Sequence, residues 1–405
     1  MKRLSTTERL HFAALLFTAA SMPLDFHVGI WACIILLATS LAKAIAERRL
    51  GNHSLNRRAR LWLLAPVVYW LVLAASLLWT NDLATGWQLL SLKLSLPAFS
   101  VAMLATDTGY LDENRRRYVG YSLLLAQTAV FLYFTGRAIL RGLGVIEAGS
   151  EFDPRHHAYT ALYASAALIF VYRELSRRWT SSAPWHRTAL VLAAAIQILY
   201  IVLVNSRAGM IALVLVAAAC TVHTFIMYRD LRITAIVGVS LAVGMFAATH
   251  LVPSHTNRIS ATMQNVDGDA RVKIYHANLT LTMKNPLAGY GAGDYHAMQQ
   301  HQYGDMNYFK GEQTTYNAHN QYVESLLAAG VPCLLALLAM LVAPLAAQRR
   351  PRFEAMLLVA VIALNLLFES MLERQMGLLF IGSVLAFLTI TPGETGRATH
   401  ELHKE

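Results

Sequence analysis

The chain has 405 residues, 56% hydrophobic and only 14% charged, with a formal net charge of +10. Soluble domains carry about a quarter charged residues, so this composition excludes an ordinary soluble enzyme. The placement of the charge, taken up below, argues against a nucleic-acid binder.

Apolar stretches of about 17–25 residues, the length that crosses a hydrocarbon core of about 30 Å, recur from Leu10 to Thr391. They predict spans at 10–24, 26–45, 61–79, 88–104, 118–140, 158–172, 188–204, 208–228, 232–251, 322–346, 354–371 and 375–391. Backbone groups in lipid must pair within their own segment, so these are helices. The first stretch follows Lys2, Arg3 and Arg9, like a secretion signal. No small-x-small cleavage site follows it and a second span begins at once, so it reads as a retained helix. Cys33, Cys220 and Cys333 lie within apolar spans without metal-ligand spacing and read as packing residues.

The expected fold class is an all-α integral membrane protein of about twelve transmembrane helices, with one long loop between helices nine and ten. Residues 1–251 hold the first nine helices, 252–321 the loop, 322–391 the last three helices and 392–405 a tail. Arginines concentrate in alternate loops: Arg48, Arg49, Arg57, Arg58 and Arg60; Arg115 to Arg117; Arg173, Arg177, Arg178 and Arg187; Arg229, Arg232, Arg349, Arg350 and Arg352. The positive-inside rule puts that side and both termini in the cytoplasm and the long loop in the periplasm. The same charge suits anionic lipid headgroups.

The long loop is not of low complexity. Val272, Tyr275, Leu279 and Met283 recur at helical spacing, predicting a helix over Asp269–Lys284 with Asp269 as its cap. Pro286 ends it. The following run, Leu287-Ala288-Gly289-Tyr290-Gly291-Ala292-Gly293, is rich in turn residues whose glycines allow close backbone packing. It lacks the βαβ setting of a dinucleotide site.

Three residues on the periplasmic side stand out. Arg207, in Asn205-Ser206-Arg207-Ala208-Gly209, opens a helix whose N–H groups and dipole favour an anion; its fork suits phosphate oxygens. The plainer alternative is an interfacial arginine on lipid headgroups. Arg271 opens the loop helix and, by position alone, is better explained as a solvated charge beside Asp267, Asp269 and Lys273. His319, in Tyr316-Asn317-Ala318-His319-Asn320, precedes a span, where a helix N-terminus favours the neutral imidazole of a general base. A backbone-bonded interfacial histidine is its alternative. Tyr316 and Asn320 flank it as supporting candidates.

Glu369, Glu373 and Arg374 cluster at one span end, Arg137, Arg141 and Arg155 flank a periplasmic connection, and Lys93 interrupts span four. These are weaker candidates for pairing, anion binding or snorkelling. His156-His157 does not share one face as a metal pair would. Asp267-Gly268-Asp269 is too short a signal to establish a metal site.

At these residues the sequence resembles the O-antigen ligases of lipopolysaccharide assembly, and shares part of its pattern with the related O-antigen polymerases. The resemblance rests on Ser206-Arg207-Ala208-Gly209; on Arg271 followed by Asn285-Pro286-Leu287-x-Gly289-x-Gly291-x-Gly293; and on His319-Asn320-x-Tyr322-x-Glu324 with Gly330 beyond. It covers roughly residues 200–335. It implies a GT-C-like fold in the bacterial inner membrane and transfer of a glycan from undecaprenyl diphosphate to a lipid A-core sugar hydroxyl. It implies that Arg207 and Arg271 hold the diphosphate, that His319 activates the acceptor, and that no metal or other cofactor is needed. A polymerase using the same donor is the nearest rival. A polysaccharide transporter or flippase is the rival from another class, but no paired interrupted helices or internal repeat favour it.

Overall fold

In a computed structural model the residues described are 3–141, 156–229, 238–239, 242, 246, 270–308, 311, 313 and 316–392. Every regular element among them is helical, as a chain surrounded by hydrocarbon requires. Among the described residues six segments are long and apolar enough to cross a membrane: α2 (Phe26–Ala46); Arg57–Trp79, which comprises α3 (Arg57–Trp62), α4 (Ala65–Ala75) and a 3-10 turn; α7 (Glu113–Leu140); α9 (Pro184–Leu203); α10 (Arg207–Tyr228); and α13 (Gln321–Ala346). A bent pair, α5 (Leu83–Leu92) and α6 (Ser95–Ala105), makes a seventh. Helices α1 (Thr6–Ser21), α8 (His157–Arg178), α14 (Phe353–Phe368) and α15 (Gln375–Ile390) complete the bundle. The predicted ninth span, 232–251, lies outside the described residues apart from isolated positions.

The expected single helix over 88–104 is corrected to two, bent by 45° at Lys93–Leu94. Pro97 sits in the first turn of α6, where its missing N–H is harmless, and the break lets the Lys93 ammonium reach polar partners.

Two helices of the long loop are described. Helix α11 (Ala270–Lys284) stands where periodicity predicted it; its proposed cap, Asp269, lies outside the described residues. Helix α12 (Tyr295–Asp305) follows, and α11 packs on both α12 and α13. In the bundle, α13 packs against α4, α14 and α15, while α8, α10 and α14 pack against one another.

The glycine run docks into a break in α13. Ala329 (φ −148°, ψ 28°) and Gly330 (φ 66°, ψ −159°) leave the helical conformation, which frees carbonyls inside the span. The loop supplies the missing donors: Tyr290 N–H donates to Leu327 C=O (2.7 Å) and Gly291 N–H to Ala328 C=O (3.0 Å), while Val331 N–H donates back to Pro286 C=O (3.0 Å). A Cβ on Gly330 would lie 2.1 Å from Leu287 O, and one on Gly289 2.6 Å from Leu327 O. The Asp294 carboxylate then ties the loop to the start of α5, accepting from Asn81 N–H (2.7 Å) and Asp82 N–H (2.9 Å).

Candidate active site

The first turn of α13 positions the central histidine. Asn320 caps the helix, its side chain accepting from Tyr322 N–H (3.0 Å) and Val323 N–H (3.2 Å). Just before it His319 takes a left-handed backbone (φ 48°), held by its N–H to Asn317 Oδ1 (3.1 Å). The Tyr275 hydroxyl on α11 lies between His319 C=O (3.2 Å) and Leu367 C=O (3.0 Å), joining loop helix, histidine and the end of α14. Beneath them the buried Glu324 accepts from Ala318 N–H and from Ser370 Oγ (3.3 Å), and Ser370 Oγ accepts from Asn320 N–H (3.1 Å).

His319 Nδ1 lies 3.3 and 3.4 Å from the two oxygens of Glu369, a buried carboxylate at the end of α14. Burial pushes the Glu369 carboxyl up, but the His319 hydrogen bond and the neighbouring His319, His156 and Arg271 outweigh it and hold the group below its ordinary value. An ionised carboxylate only accepts, so Nδ1 must donate; in the neutral ring this leaves Nε2 as the basic nitrogen. On the other side of the carboxylate, His156 Nε2 is 3.9 Å from Glu369 Oε1. Burial holds that imidazole below its ordinary value, and Arg374, His157 and His319 reinforce the effect against the pull of Glu369.

Next to this group lies a second buried cluster. Lys93 Nζ, at the α5–α6 break, donates to Glu373 Oε1 (2.6 Å) and Leu372 C=O (2.7 Å). Glu373 also accepts from the Tyr295 hydroxyl (2.9 Å) and Gln321 Nε2 (3.3 Å). Burial raises its carboxyl, but Lys93, His296 and these bonds hold it below its ordinary value. Removing one partner of such a pair leaves a buried charge uncompensated. Lys93→Met should therefore cost about 3–5 kcal/mol in a denaturant titration in detergent, and Lys93→Met with Glu373→Gln should recover most of it.

The structure thus gathers His319, Asn320, Glu369 and Tyr316, whose ring centroid is 6.2 Å from that of His319. Arg271 is close enough for its charge to act on Glu369 and Tyr275, and Arg374 acts on His156. Arg207 is exposed at the first position of α10, after Ser206, whose hydroxyl accepts from Gly209 N–H (3.2 Å). The start of α10 is seated on α8: Gly209 faces Ala161, one turn below His157. Arg207 therefore shares the end of the bundle that holds His319. Arg137 is in the last turn of α7. It stands ten residues, about 15 Å along α7, beyond Gln127, whose amide donates to Thr160 C=O (3.4 Å). Arg155, Asp267 and Asp269 lie outside the described residues. Among the described residues no group of three His, Cys, Asp or Glu side chains could hold a metal ion.

Sequence reasoning set His156 aside because adjacent histidines do not share a face; its role beside Glu369 needs no shared face. Glu324 lay within the quoted motif, but only its burial shows it as the acceptor that ties Ala318 and Ser370 together. Comparison with curated proteins returns no match. A family model described as O-antigen ligase matches residues 190–338, the interval that contains Arg207, Arg271 and His319, and this match supports assigning the chain to the O-antigen ligase family.

Proposed function

We propose that this protein is an O-antigen ligase of the bacterial inner membrane, which joins a glycan carried on undecaprenyl diphosphate to a sugar hydroxyl of lipid A-core. The observation that carries the reading is the His319–Glu369 pair, set beside Arg271 at one end of the bundle within the matched interval. The proposed layout is GT-C-like with twelve spans in the residue blocks given above, both termini cytoplasmic and the His319 end periplasmic, as the arginine distribution indicates.

In this reading the donor already carries a good leaving group. Its departure builds negative charge on phosphate oxygen, which Arg207 and Arg271 stabilise as fixed cations, without a metal. His319 Nε2 takes the proton of the acceptor hydroxyl as the glycosidic bond forms, and Glu369 fixes the tautomer and supports the resulting imidazolium. Attack opposite the diphosphate inverts the anomeric centre. Holding two lipid-anchored substrates at one membrane face supplies proximity.

The test is reconstitution with undecaprenyl-diphosphate glycan, supplying lipid A-core or a second lipid-linked glycan separately. Product on lipid A-core alone supports ligation. Product on the lipid-linked glycan alone identifies a polymerase, and flux without a joined product identifies a transporter. Activity should be unchanged in excess EDTA; loss restored by magnesium or manganese would point back to Asp267 and Asp269. Arg207→Ala and Arg271→Ala should each lower donor kcat/KM by about 10–100-fold, the worth of a charge-assisted contact. Lysine at either position should restore only part, because the two-pronged geometry is lost. Unaltered donor kinetics in both alanine variants would remove the diphosphate assignment.

A further inference from the structure

At the end of the bundle opposite His319 there is a cavity of about 170 Å³. Its walls are apolar, drawn from Leu15, Leu123, Phe170, Val384 and Phe387 among others, and it reaches from Phe380 inside α15 to Thr391 beyond its end. Those twelve residues of near-helical chain span about 16 Å, close to the depth of one hydrocarbon leaflet, about 15 Å. Its mouth is cationic: Arg116, Arg173 and Arg352 all line it.

The arginines outnumber the carboxylates around them. Arg173 and Arg352 share Glu113, the latter at 3.0 and 3.1 Å, while Arg173 and Arg177 share Glu354 at 3.0 and 3.2 Å. The nearby Asp112 and Glu174 are matched by Arg115 (3.1 Å) and Arg117 (2.6 Å). Arg173 also lies 3.6 Å from Glu174, so that six guanidiniums, counting Arg116, share four carboxylates. Arg116 Nε is buried and has no hydrogen-bond partner, and such a donor calls for an acceptor. A long apolar slot under an excess of forked cations matches one chemistry: acyl chains below a phosphodiester.

We propose that this cavity binds an anionic diacyl glycerophospholipid, its headgroup phosphate held by Arg116 with Arg173 and Arg352, and an acyl chain lying along α15. Basic pockets between membrane helices take anionic lipids in this way. The site is separate from the glycan-transfer centre, and its leaflet follows from the orientation proposed above.

The experiment is native mass spectrometry of the full-length protein, delipidated in neutral detergent and titrated with phosphatidylglycerol or phosphatidylcholine. Phosphatidylglycerol should bind about tenfold more tightly. Arg116→Gln should reduce that preference to about twofold or less, and Val384→Trp, which fills the slot, should abolish binding of both lipids. Equal affinity for the two lipids, an unaltered preference in Arg116→Gln, or full competition by inorganic phosphate would overturn the proposal. So would stronger retention of a polyprenyl phosphate than of either diacyl lipid. Should Arg116→Gln fail to fold, the wild-type preference and the Val384→Trp result decide the matter.

Discussion

His319→Ala should lower glycan transfer by about 10²–10⁴-fold, the usual worth of a positioned general base, while donor binding and thermal stability stay near wild type. The imidazole is about a fifth exposed, and its only described side-chain hydrogen-bond partner is Glu369, so its loss empties little core. Glu369→Gln separates the two roles of the pair. The amide retains the size but removes the charge that supports an imidazolium, and it can present N–H to Nδ1 and invert the tautomer. The expected result is a fall in kcat approaching that of His319→Ala with little change in donor KM. Normal turnover by His319→Ala would remove the base assignment. Loss confined to Glu369→Gln would reassign the proton transfer to the carboxylate or to His156, which faces the same oxygen at 3.9 Å.

Gly330→Ala is expected to be strongly destabilising for the addition of a single methyl group. A left-handed backbone at a non-glycine residue costs about 1–3 kcal/mol. The added carbon would also meet Leu287 O at 2.1 Å and Ala288 N at 2.7 Å, which are backbone atoms and cannot swing away; overpacking adds about 1–3 kcal/mol. A loss of about 2–6 kcal/mol should appear in equilibrium unfolding in detergent. Gly136→Ala is the control. It lies within α7, and an added Cβ there meets nothing within 4 Å, so alanine should be neutral or mildly stabilising. If Gly330→Ala unfolds like Gly136→Ala, the docking of the glycine run into α13 does not contribute to stability.

Much of this was legible in the sequence because it is local. Apolar length marked most of the helices, and the spacing of Val272, Tyr275, Leu279 and Met283 marked α11 to within a residue. His319 and Arg271 stood out as polar groups beside spans, and Glu369 as part of a charged cluster. What is not local could not be read. Lys93 and Glu373 were each visible as charges at span positions, but they are 280 residues apart and pair only because α5 ends beside the 3-10 turn before α15. The bend at Lys93 has the same origin, since a charge buried in a bundle finds its partner through tertiary packing. The glycine run was read as a place for close backbone approach. Its partner, a broken turn some forty residues further on, carried only one glycine as a cue.

The clasp between residues 286–291 and the interrupted turn at Leu327–Val331 has a consequence for chimeras between relatives. An exchange of the external arm that ends before the membrane would graft a foreign strip of amides onto the host's severed helix. The N–H groups of Tyr290, Gly291 and Val331 would then lose their carbonyl acceptors. A workable cassette must run from Asn285 through Val331, so that arm and stub travel together.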